Sequence, residues 1–255
     1  MSIKEEIFEK YDEELTFDEP IEYKGLLLYP VSIKKINRFL QSSSILRIQK
    51  EYIPDKEVIK MSYLKFIITN IRKEKEETGQ SITLDLLALC FMLVLRLEEI
   101  SIRYYTDEHN KGGILINEVE INDKEFDYLR KIILYQNIPN YDDELINPDL
   151  KKDMELADKI RNNGEESVDF EHQIANLVIG TGMNIDDVKK LSIRKFYIIG
   201  EMIDSKLHYS IYKQASISGM VEFKRPITHY LKKENTDLLE NKVTTVETLR
   251  SNMNI

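Results

Sequence analysis

Tryptophan is absent from this chain, and cysteine, histidine, proline and glycine are scarce: one Cys, four His, six Pro and nine Gly in 255 residues. A lone Cys90 leaves no internal disulfide, and one thiol with four scattered imidazoles cannot assemble a thiolate-rich zinc site. So little Gly and Pro argues against a collagen-like, low-complexity or mostly disordered chain. No stretch reaches the roughly 18 uninterrupted apolar residues that a membrane span needs. The opening Met1-Ser2-Ile3-Lys4-Glu5-Glu6 carries acids where a signal peptide needs a basic and then an apolar region, so the expectation is a reducing, cytoplasmic setting.

What remains is an ordinary globular composition, 42% apolar and 32% charged, with the charge unevenly placed. Residues 1–20 hold eight acids against Lys4 and Lys10, so this segment supplies −6 of the net −9. Residues 30–77 carry eleven Lys/Arg against six acids, residues 107–171 eight against eighteen, and residues 183–233 ten against five. Such banding suits docking against other proteins, because complementary patches steer encounter and fix register. Solvated helix faces produce the same bands.

The pattern predicts a mainly helical α+β protein with a small N-terminal β element, one β-hairpin and a C-terminal helical bundle. Leu15-Thr16-Phe17 and Ile21 to Val31 read as extended, with Pro20, Gly25 and Pro30 at the bends. Ser32 reads as the cap of a helix through Ile33, Ile36, Phe39 and Leu40. One helix after Pro54 should follow Val58, Ile59, Tyr63, Phe66, Ile67 and Asn70, then fray in Arg72-Lys73-Glu74-Lys75-Glu76-Glu77. Ser81 opens the central core helix, since Leu86 to Leu95 is unbroken apolar sequence, too short for a bilayer but suited to burial on most sides. Ile100 to Tyr105 and Ile114 to Ile116 flank the turn cluster Asp107 to Gly113, a hairpin signal. Asn122 and Glu125 have capping-box spacing before a helix that ends near Asn137-Ile138-Pro139. Asn147-Pro148 and Gly164 bracket another helix. Ser167, Asn184 and Ser192 read as caps of three more, the last running from about Ile193 to Ala215. These signals divide the chain into an α+β part (1–140), a helical bundle with an irregular apolar coda (141–234) and a loosely ordered tail (235–255), the boundary lying in the acidic Tyr141-to-Gly164 region.

Chemistry-bearing patterns are few. Gly180-Thr181-Gly182 lacks the third glycine and the preceding strand of a dinucleotide fingerprint, and reads as a helix end. Cys90 sits in the most apolar segment, where a thiol packs rather than attacks. Glu201, Asp204 and His208 fall along one helix face at i, i+3, i+7; they have the chemistry of metal ligands, but without a second Glu-X-X-His they read as a hydrophilic face. Ile174 to Lys195 has helix-turn-helix rhythm, yet Asp186 and Asp187 stand where a groove-reading helix needs positive residues. The expectation is therefore a protein with no catalytic residues, no metal and no cofactor.

Several pieces of sequence are informative together: Leu15-Thr16-Phe17, Pro20-Ile21, Tyr23-Lys24-Gly25-Leu26, Tyr29-Pro30-Val31, Met61-Ser62-Tyr63-Leu64, Gln136-Asn137, and Ser218-Gly219-Met220-Val221-Glu222-Phe223 before His229-Tyr230. In these the chain resembles proteins from the tail-gene clusters of bacteriophages and phage-tail-like particles of Gram-positive bacteria. The resemblance implies a non-enzymatic factor, structural component or assembly chaperone, that binds other tail or baseplate proteins. It implies the host cytoplasm during assembly and, for a component, the virion. The alternative from the residues alone is a helix-turn-helix regulator of a mobile element. A membrane partner is not expected, nucleic acid is disfavoured, and self-association is left open. The coda supplies the expected partner surface, with Met220, Phe223 and Tyr230 as apolar anchors and Lys224 and Arg225 as a basic rim; the alternative is that these apolar groups only seal the helical bundle.

Overall fold

The computed structural model describes residues 2–106, 112–139, 141, 169–218 and 226–232, and the statements below concern those residues. The chain forms two compact units, Met1–Ile198 and Ile199–Ile255. It is a mainly helical α+β protein with two small antiparallel sheets.

The first unit opens with α1 (Ile3–Lys10), capped by Ser2 and Glu5 in a reciprocal capping box, and α2 (Asp12–Phe17). Leu15-Thr16-Phe17 is therefore helical and not extended as its composition suggested. Ile7, Tyr11 and Leu15 recur every four residues and are all buried, so the apolar period is that of a helix. Asp12, Glu13 and Glu14 occupy the first turn of α2, where the helix dipole favours negative charge. The expected sheet follows as β1 (Ile21–Tyr23) and β2 (Leu26–Leu28), antiparallel, turning at Lys24 and Gly25 with φ of 55° and 80°.

Ser32 makes no cap bond. A 3₁₀ turn, Ile33–Lys35, precedes α3 (Ile36–Ser42). The single helix expected after Pro54 is two, α4 (Lys56–Lys60) and α5 (Tyr63–Thr78), because Ser62 leaves the helix and its Oγ accepts the Lys65 N–H at 3.1 Å. The charged end of α5 does not fray: it stays helical to Thr78 and stops at Gly79, φ 77°. Lys and Glu are good helix formers, and Glu74 is anchored in the next helix's cap. That next helix, α6 (Ile82–Leu95), starts at Ser81 as expected and buries Leu87, Cys90, Phe91, Leu93, Val94 and Leu95.

The hairpin β3 (Ile102–Thr106) and β4 (Gly112–Ile116) gains a third strand, β5 (Val119–Asn122), in the order β3-β4-β5. Its turn at Asn117 and Glu118 has positive φ at both residues without a glycine, which hid it from the sequence. Asn122 then caps α7 (Asp123–Asn137) through the expected box with Glu125. Two buried amides at the end of α7 clasp the N-terminal hairpin. Asn137 Oδ1 accepts the Val31 N–H at 2.7 Å, and Gln136 Nε2 donates to the Leu28 carbonyl at 3.0 Å.

The later helices are α8 (Phe170–Thr181), α9 (Ile185–Val188) and α10 (Ile193–Ile217). The start of α10 is tied to the N-terminal elements by a Ser32–Ser192 bridge and by Ser192 Oγ donating to Asp18 at 2.9 Å. The helix predicted after Asn147-Pro148, its end at Gly164, the Ser167 cap and the tail 235–255 lie outside the described residues, as does most of the Tyr141-to-Gly164 boundary.

Candidate protein-docking surface

The working surface inferred from sequence falls in the second unit. Met220, Phe223, Lys224 and Arg225 lie outside the described residues; Tyr230 is within them, in the segment 226–232. There Tyr209 of α10, His229 and Tyr230 form one aromatic cluster. Ring centroids are 4.9 Å apart for Tyr209–His229, 4.6 Å for His229–Tyr230 and 5.7 Å for Tyr209–Tyr230. Such spacings are those of favourable ring contacts. The local backbone is fixed by His229: its Nδ1 accepts the Leu231 N–H at 3.2 Å, and its carbonyl accepts the Lys232 N–H at 2.8 Å. Tyr230 is thus held half-buried against the helix, while the neighbouring Leu231 is 66% exposed. Lys213 stands over the Tyr209 ring at 5.8 Å and supplies a cation beside the cluster.

Sequence reasoning missed Tyr209 and Leu231, and it missed how much of α10 stays uncovered. From Ile199 onward no residue of α10 is buried, and Leu207, Ile211, Tyr212 and Ile217 are all exposed. The available signal was the four-residue recurrence of apolar side chains at Ile199, Ile203, Leu207 and Ile211.

The chemical candidates are placed as follows. Glu201, Asp204 and His208 are exposed on α10, where His208 stacks on Tyr212 at 6.1 Å. Among the described residues no group of three or more His, Cys, Asp or Glu side chains is arranged to hold a metal. Cys90 is fully buried in α6, and that burial pushes its thiol up to about 12, against the opposing influence of Ser42 and Arg47. Gly180-Thr181-Gly182 closes α8, with Gly182 in the left-handed conformation at φ 74°. The supposed reading helix, α9, is four residues long; its exposed Asp186 and half-buried Asp187 pair with Lys189 and Lys190 at 3.1 and 3.0 Å.

One open cleft of about 290 Å³ lies in the first unit, lined by Glu6, Lys10, Tyr23, Lys124, Glu125 and Tyr128. Its charges answer one another: Lys24 meets Glu125 at 2.5 Å, and Tyr23 stacks on Tyr128 at 5.4 Å. Burial first, then Glu125 and Tyr11, push Tyr23 up to about 12, and burial with Glu6 raises Tyr128 as well. Both phenols stay protonated at neutral pH and act as packing groups rather than bases.

The residues that carry the sequence resemblance have structural work. Tyr63 donates to the Ile45 carbonyl at 2.7 Å, Ser62 donates to Asp123 at 2.6 Å while capping α5, and Gln136 and Asn137 clasp the hairpin. Comparison with known protein families, with curated proteins and with solved structures finds no match to the chain. Among the described residues no helix is long and apolar enough to cross a membrane.

Proposed function

We propose that the protein is a non-enzymatic binding factor in the assembly of a phage tail or baseplate, working through its apolar coda. The observation that carries this reading is the aromatic anchor. Tyr209, His229 and Tyr230 pin the segment 226–232 to α10 and leave Leu231 facing outward beside Lys232. A pre-ordered segment that displays an apolar side chain beside basic residues is suited to docking, because little ordering entropy remains to be lost on binding. The banded charge and the sequence resemblance support the same reading. The Asp-bearing α9, where the helix-turn-helix alternative would place its reading helix, offers little to a phosphate backbone. Affinity capture of the tagged full-length chain from phage-induced Gram-positive cells tests the proposal: tail or baseplate proteins should co-purify stoichiometrically. Recovery of the chain alone, or salt-sensitive retention on DNA instead, would refute it.

A further inference from the structure

Beyond the coda, α10 has a second surface that the proposed function does not use. Successive helical residues turn by about 100° and rise by about 1.5 Å, so Ile203, Leu207 and Ile211 lie within about 80° of one another on one side. Tyr209, which holds the coda, points about 160° away from Leu207. The described part of the coda, 226–232, is held on that other side, while on the stripe Leu207 is 57% exposed, Ile211 is 49% exposed and Ile203 is half-buried.

We propose that this stripe docks on the same stripe of a second copy of this chain, with the two α10 helices antiparallel about a two-fold axis near residue 206. Three observations favour a second copy over an unrelated partner. First, the stripe reads alike in both directions about Leu207, one residue from the axis, so that the apolar side chains of the two copies interleave, and a two-fold contact requires such self-complementarity. Second, Asp204 and His208 project on the same flank of the stripe, two residues to either side of 206. The two-fold operation sets each Asp204 at the height of His208 in the other copy, giving two carboxylate–imidazole pairs per contact. A parallel two-fold pairing would instead put the two Asp204–His208 flanks on opposite sides of the contact, so that no carboxylate meets an imidazole of the other copy. Third, Gly200 falls on the stripe within about 1.5 Å of the height at which Ile211 of the second copy arrives, so the bulky side chain meets a position with none. The pairing uses only the stripe, so it stands whether or not the coda binds tail proteins.

With the axis near residue 206, residues 199–213 pair with themselves over about 21 Å, at the small end of stable interfaces, so dissociation on dilution through the micromolar range is expected. The test is site-directed cross-linking in the full-length protein, where Cys90 is buried and gives no background. Leu207→Cys should form an intermolecular disulfide under mild oxidation, since the two copies of residue 207 flank the axis. Gln214→Cys should not, because its two copies would stand about 24 Å apart along the helices. Sedimentation of the unmodified chain should show twice the chain mass, and Leu207→Glu should raise the dimer dissociation constant at least about tenfold with an unchanged melt. Cross-linking at both positions would mean a parallel pair and overturn the proposal. So would a wild-type chain that stays monomeric through high micromolar concentration, which would leave the stripe to the chain's own tail or to a foreign partner.

Discussion

At the scale of single residues, the polar groups that matter are the ones that close gaps between elements. Glu74, near the end of α5, accepts from Ser81 Oγ at 2.6 Å, Thr83 N at 2.9 Å and Thr83 Oγ1 at 2.7 Å, so one carboxylate satisfies the open N-terminus of α6. Burial opposes its ionisation, but these hydrogen bonds outweigh burial and hold the carboxyl below the ordinary glutamate value of 4.5. The folded state therefore favours the charged form. Its stabilising contribution is complete above about 4.5, where the unfolded carboxyl is also ionised, and is lost as pH falls through the lower folded value. Glu74→Gln should lower Tm by about 2–4 °C at neutral pH, the loss expected of a capping interaction in a chain of this size. The difference from wild type should shrink as the pH is taken below the folded value. A variant deficit that is constant from neutral to strongly acidic pH would show that the carboxylate's charge is not what holds α6. None of this was legible in sequence, where Glu74 read as part of a fraying charged run, because its partners lie seven and nine residues onward across a turn.

Among the elements, the caps were the most readable feature. Ser81, Asn122 with Glu125, Asn184 and Ser192 all open helices where their spacing placed them. These signals are local: a short polar side chain answers an amide two or three residues away, and no tertiary knowledge is needed. Strand-like composition misled at Leu15 to Phe17, since β-branched and aromatic residues fit a helix whenever their four-residue period meets a core. The β5 strand was hidden because its turn at Asn117 and Glu118 lacks a glycine, and the cap at Ser62 because the apolar helical period runs on across it. The apolar run Leu86 to Leu95 did mark the central helix, but its burial is uneven: Leu87 is fully buried, whereas Leu89 is only half-buried. Leu87→Ala should cost about 2–5 kcal/mol, the range for a buried leucine truncated to leave a cavity, and Leu89→Ala clearly less. Chemical denaturation of both variants checks this. Equal losses at the two positions would contradict the observed packing of α6.

For the whole molecule, the sequence offers a candidate partner surface but not the way that segment is held. An apolar, irregular coda rimmed by Lys224 and Arg225 was visible in composition alone. Its attachment through Tyr209 was not, because a tyrosine on a long mixed helix carries no sign of what will stack on it. On the function proposed above, this coda binds a partner and is not merely a seal over α10. The direct measurement is quantitative capture of tail or baseplate proteins by the Phe223→Ala, Tyr230→Ala double variant beside the unmodified chain, with the melting temperature of each taken in the same buffer. The account predicts capture weakened by at least about tenfold, roughly 1.4 kcal/mol, with little change in Tm. A double variant that melts much earlier yet binds in proportion to its folded fraction would contradict it.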